Sequence, residues 1–139
     1  MNNIFLEPRT LGISDYPTDF PLKEVLVLGS HCAGGIILGF NQYTSYQCSL
    51  TSEMNNCETI KQQRKVPTPW HHLEAGIMFG LGLPLLVFKE EGITGGIFDN
   101  GVADVYVHQL PNPDEISNNS KLKEVIIKWQ SKVREKYYK

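Results

Sequence analysis

Apolar positions along this chain follow two rhythms. Two short runs, Ile36-Ile-Leu-Gly-Phe40 and Leu85-Leu-Val-Phe88, are apolar throughout, the pattern of parallel strands covered on both faces. Elsewhere the spacing is helical. Leu73, Ile77, Gly80 and Leu81 recur at three and four residues, as do Leu122, Val125, Ile126, Trp129 and Val133. The first helical run opens at Thr68, an N-cap residue, with Pro69 at the first helical position, and closes at Gly82 before Pro84. The second is capped by Ser120. Residues 21–31 fit either rhythm. Val25-Leu-Val-Leu28 reads as a strand, but Leu22, Val25, Leu26, Gly29 and Cys32 fit a helix and Asp19 precedes Pro21, so a helix is predicted.

Between these elements the pattern weakens. Residues 3–7 form a short strand, followed by a polar loop over 9–19 with Gly12 and Pro17 as breakers. Residues 41–67 are polar, aperiodic and rich in Asn, Ser, Thr and Gln. They predict a long loop with a turn or two of helix at 58–65, acting as a mobile lid. Residues 90–101 predict a glycine-rich flexible connection, residues 104–110 an alternating edge strand, and residues 111–119 a linker. Strand, helix, strand, helix, strand, strand, helix is the order of an open, mostly parallel α/β sheet flanked by helices, here one domain over 1–139. Such sheets bind ligands beyond the carboxyl ends of their strands. That rule gathers the 9–19 loop, the 41–67 loop with Trp70, and the 89–101 loop at one rim, with Glu74 among them.

Composition narrows the class. The 139 residues are 41% hydrophobic and carry a net charge of -2, which suits a single domain with its own core and gives no drive toward nucleic acid. No stretch is long and apolar enough for a bilayer, and the first residues lack the regions of a signal peptide. Cys32, Cys48 and Cys57 are an odd count without metal-type spacing, so reduced thiols, a cytoplasmic location and no metal are expected. Cys48 and Cys57 could approach one another within the 41–67 loop.

The chemistry concentrates in Trp70-His-His-Leu-Glu74. Glu74 stands beside the apolar stripe in the early turns of its helix, where the dipole favours an ionised carboxylate. It is either a functional carboxylate or a solvated group that complements the dipole. Trp70, one turn earlier, is either a ligand-packing ring or a core indole. Arg9 suits bidentate phosphate binding or a surface ion pair. His71 and His72 lie about 100° apart on a helix and make poor joint metal ligands.

These residues resemble two related families. Trp70-His-His-Leu-Glu74 is similar to the Trp-Cys-x-x-Glu motif of TIR domains that cleave NAD, with His71 in place of the Cys. Glu74-Ala-Gly-Ile-Met-Phe-Gly-Leu-Gly-Leu-Pro84 resembles the nucleophile segment of nucleoside 2-deoxyribosyltransferases. Arg9-Thr-Leu-Gly, Pro21-Leu-Lys-Glu-Val and Gly35-Ile-Ile-Leu-Gly-Phe40 are similar to the second strand and following unit of bacterial TIR-like proteins, which are often linked to antiphage defence. The resemblance covers most of residues 3–110. It implies a flavodoxin-like sheet and cleavage of an N-glycosidic bond in NAD or a nucleotide, with Glu74 catalytic and Arg9, Thr10, Trp70 and His71 binding the substrate. NAD or a nucleotide would be substrate or ligand, and no separate cofactor is implied.

Two departures accompany the likeness. The Asp-x-Gly-Thr approach to the transferase nucleophile is replaced by Thr68-Pro69. Both families also open with a central strand and helix ahead of the strand that 3–7 resembles. Starting at 3–7 implies a truncated relative, a sheet restored by exchange between copies, or an inactive protein. Three expectations follow: an N-glycosidase, a non-catalytic nucleotide-binding or sensing module, or a homo-oligomer that pairs through an open sheet edge.

Overall fold

The computed structural model describes residues 6–10, 21–51, 57–103 and 105–139. Helix α1 spans Pro21–Ser30, which settles the ambiguous segment as helix, and it buries Val25 and Gly29. Strand β1 spans Gly35–Gly39. An arm of four strands follows: β2 (Asn41–Ser45), β3 (Cys48–Thr51), β4 (Cys57–Ile60) and β5 (Arg64–Pro67). Then come α2 (Pro69–Gly80), β6 (Leu85–Lys89), β7 (Val107–Gln109) and α3 (Ser120–Tyr137). The expected strand at 3–7 and most of the 9–19 loop lie outside the described residues.

The central sheet has the order β1-β6-β7, and both pairings are parallel. Ile37 lies opposite Val87, and Val87 opposite Val107. Side chains alternate between the two faces of a strand, so each face builds its own core. On one side Ile37, Leu85, Val87 and Val107 pack with Ala75 and Met78 of α2. On the other, Ile36, Leu86 and Phe88 pack with Leu122, Val125, Ile126, Trp129 and Val133 of α3, and Leu6 joins them. The Trp129 indole N–H donates to the Pro84 carbonyl at 2.9 Å, which ties α3 to the start of β6. The architecture is therefore a mixed α/β fold: a three-stranded parallel sheet between helices, with small antiparallel sheets attached.

Both ends of α2 follow from its sequence. Thr68 is extended at φ -66° and ψ 141°, and its hydroxyl accepts from the Trp70 N–H at 3.4 Å. At the far end Gly82 adopts φ 68°, which a side chain would resist. The Gly82 N–H donates to Phe79 O at 2.9 Å and the Leu83 N–H to Met78 O at 3.0 Å, closing a Schellman motif. At α3 the cap is Asn119 and not Ser120. The Asn119 Oδ1 accepts from the Leu122 N–H at 3.0 Å, and Ser120 is already helical.

Two segments depart from expectation. The described residues between 41 and 67 form a ribbon, with β2 pairing antiparallel to β5 and β3 to β4. Residues 58–65 contribute to β4 and β5 and form no helix. The base of the ribbon is tied to the body. The Asn41 N–H donates to Glu90 Oε2 at 2.8 Å, while Asn41 Oδ1 accepts from the Val66 N–H at 3.2 Å. Its register sets Cys57 opposite Thr51, three residues from Cys48, which faces Ile60. That offset is about 10 Å along the strand, so Cys48 and Cys57 form no disulfide, and Cys32 forms none either.

The glycine-rich connection 90–101 contributes to the core and is not merely a flexible linker, and the edge strand expected over 104–110 is limited to β7, Val107–Gln109. Ile93 and Phe98 are fully buried, with Ile97 and Ala103 beside them. A 3-10 turn at Gly96–Phe98 lays Phe98 against Gly39, where any added Cβ would strike its ring. This segment packs on the α2 face of the sheet, where Ile93, Ile97 and Phe98 join Ile37, Val87 and Val107.

Candidate functional site

The α2 helix leaves β5 beside the carboxyl ends of the parallel strands, and its first two turns carry Trp70, His71, His72 and Glu74. Successive residues turn by about 100°, so these side chains divide among different flanks. Trp70 and Glu74, four apart, share one flank. His71 and Met78 point toward the sheet. His72, Gly76 and Phe79 share the flank facing the 95–103 segment.

Glu74 is half-buried, and burial holds its carboxyl above the ordinary carboxylate range. It makes no hydrogen bond or ion pair to another described residue. This corrects the expected dipole-favoured ionisation. Glu74 sits in the second turn, beyond the reach of the helix terminus, and desolvation decides the sign. Trp70 is 43% exposed and belongs to neither core cluster, so it is not a core indole.

The histidines frame Phe98. Its ring meets His71 edge-on at 6.0 Å and His72 at 5.4 Å between centroids. Burial, and then the neighbouring His72, hold His71 below the usual histidine range. The His71 Nδ1 is buried without a hydrogen-bond partner among the described residues. The His72 Nδ1 accepts from the Ile97 N–H at 3.4 Å, which places the proton of the neutral ring on Nε2. Gly96 lies under this imidazole at φ 55°, and a Cβ there would come within 2.6 Å of it.

Arg9 and Thr10 make no contact with Trp70, His71 or Glu74 among the described interactions. Both are exposed in the segment after Leu6, which packs on the α3 face, and each has a partner of its own. Burial alone accounts for the Glu74 shift, with no cation contributing. Trp70, His71 and Glu74 are therefore neighbours on one helix, whereas nothing in the described residues joins Arg9 or Thr10 to them.

A depression of 490 Å³ lies across α2 from Glu74. His72, Gly76, Phe79, Gly96, Ile97 and Val102 contribute to its lining. Sequence reading missed it because its walls are scattered apolar and glycine residues, and His72 is its one polar side chain. No group of three His, Cys, Asp or Glu among the described residues is placed to hold a metal ion. No helix of the described residues is long and apolar enough to cross a membrane. Compared with protein-family models, curated proteins and solved structures, the chain has no significant match.

Proposed function

We propose that this chain cleaves the N-glycosidic bond of NAD or a nucleotide, with Glu74 as the working carboxylate. One observation carries the reading: Glu74 is partly desolvated at the carboxyl edge of a parallel sheet, its carboxyl is raised by burial, and no cation among the described residues offsets the cost. Titratable groups shifted by desolvation cluster at functional sites, which supports this reading of Glu74. Breaking the bond from the ribose anomeric carbon to nitrogen leaves the electron pair on the departing base and positive charge on the sugar. A carboxylate facing that carbon stabilises the charge, and water then adds there and releases a proton. Trp70 is exposed on the same flank and offers its ring to the ribose or base. In this reading the three parallel strands belong to a flavodoxin-like sheet in a cytoplasmic protein.

A nucleotide-binding module without turnover is the second reading. It is favoured by the position of the depression, which lies across α2 from Glu74 rather than over it. Incubation with NAD and with nucleosides, followed by chromatography of released base, separates the two. Activity that falls at least a hundredfold in Glu74→Gln with the fold intact supports cleavage. Undiminished activity in that variant refutes the role of Glu74. Calorimetric binding of nucleotides without release supports the module.

A further inference from the structure

We propose that the depression between α2 and the 95–103 segment binds a neutral, flat heteroaromatic molecule of one or two rings that offers a hydrogen-bond acceptor. Its lining comes entirely from those two segments. The other side of α2 is taken by α1, whose Gly29 lies against Ile77 and Leu81. Both residues stand across the helix from His72, Gly76 and Phe79. The volume, 490 Å³, falls among small-molecule sites, which run from about 300 to 1,000 Å³.

Small residues make the space. Ala75 and Ala103, both buried, contribute only methyl groups to the lining. A Cβ added to Gly76 or Gly95 would meet nothing within 4 Å. A longer side chain at either place would therefore occupy the depression. The wall facing α2 is fixed before any ligand arrives. The Gly95 N–H donates to Asp99 Oδ1 at 2.9 Å, the Phe98 N–H to Gly95 O at 3.2 Å and the Asp99 N–H to Gly96 O at 3.2 Å. Phe98 anchors that turn in the core, and the Ile97 N–H ties it to His72 Nδ1.

The chemistry of the lining selects the occupant. Apart from His72, every lining residue is apolar or a glycine. A phosphate or carboxylate would lose water there without gaining a cation. With Nδ1 accepting from Ile97, the neutral His72 ring offers Nε2–H, the one side-chain donor of the lining. That donor calls for an acceptor on an otherwise apolar ligand. Phe79 and Val102, 57% and 61% exposed, supply the apolar surface that a flat ring covers. Of a nucleotide, the base alone has this chemistry.

The proposal does not rest on Glu74, and its test reads binding only. The probe is quinoline, uncharged near pH 7, with its ring nitrogen as acceptor. Indole, of similar size, carries a donor instead, and quinoline-2-carboxylate carries a charge. In two-dimensional NMR of the whole chain, quinoline should shift the amides of Gly76, Gly95, Gly96, Ile97 and Val102 and leave those of α3 in place. It should bind about three- to tenfold tighter than indole, the worth of one neutral hydrogen bond, and at least about tenfold tighter than the carboxylate. His72→Leu should erase the preference for quinoline over indole. Gly76→Leu should abolish binding; it meets no neighbour and favours the helix, so its melting temperature should not fall. The shift map and the three affinities of the parent decide the question should either variant fail to fold. Unshifted amides at these positions, equal affinities for the three compounds, or binding retained in a folded Gly76→Leu overturns the proposal. So do shifts at these amides that follow protein concentration without any ligand, because a second copy then fills the depression.

Discussion

Phe98→Ala tests whether the glycine-rich segment is core. Phe98 is fully buried, rests against Gly39 and meets two imidazole edges at 5.4 and 6.0 Å. Burying a phenylalanine side chain contributes about 2–3 kcal/mol of transfer free energy. The cavity left after truncation brings measured losses for such sites to about 3–5 kcal/mol. The aromatic edge contacts place this residue toward the upper end, since each adds about 0.5–1.5 kcal/mol. Against a total stability of roughly 5–15 kcal/mol, that loss is a large share. Urea unfolding followed by circular dichroism measures it as a drop in midpoint at unchanged slope. Phe79→Ala is the internal control: the same residue type, on α2, 57% exposed, with an expected cost below about 1 kcal/mol. A loss at Phe98 no greater than at Phe79 would refute the reasoning, because a side chain on a flexible connection has no cavity to leave.

Two further substitutions probe other links. Burial raises the folded-state carboxyl of Glu74, so the stabilising protonated form is present below the ordinary glutamate range and lost as pH rises through the raised value. Glu74→Gln should therefore melt higher than the parent at pH 7, with the gap closing near pH 4; a lower melting temperature at pH 7 would contradict the assigned cause. Asn119→Ala should cost about 1 kcal/mol through loss of the α3 cap, and Ser120→Ala far less; equal costs in urea titrations would return the cap to Ser120.

What could be read from the sequence was what burial had written there. Strand β6 is covered on both faces and reads as an unbroken apolar run, β1 reads the same way although Leu38 is exposed, and the α3 stripe matches the residues that pack on Phe88. Thr68, Pro69 and Gly82 marked the ends of α2 because capping is local chemistry. The ribbon was illegible for the converse reason. Alternation records one buried face, and β2 to β4 bury neither, so Tyr43, Thr44 and Ser45 carry no pattern. In the 90–101 segment the glycines hid Ile93, Ile97 and Phe98, whose spacing fits no regular element although all three are core. At the site, Glu74 stood out as a candidate from its place on the helix. The sign of its ionisation was not, since that depends on neighbours brought in from elsewhere in the chain.

The junction between ribbon and helix has a mechanical consequence. Pro67 ends β5 and Pro69 begins α2, so a single residue, Thr68, joins two positions whose φ is fixed by a ring. At the other root Asn41 is clamped by Glu90. Both roots are therefore restrained. The pairing of β2 with β5 carries an irregularity between Asn41 and Tyr43, close to the root, and the strands are separated farther out by Tyr46 and Gln47 on one side and by Lys61, Gln62 and Gln63 on the other. The inner half of the ribbon runs directly into α2, so a load on it is delivered as torque to the first turn of the helix that carries Trp70 and Glu74.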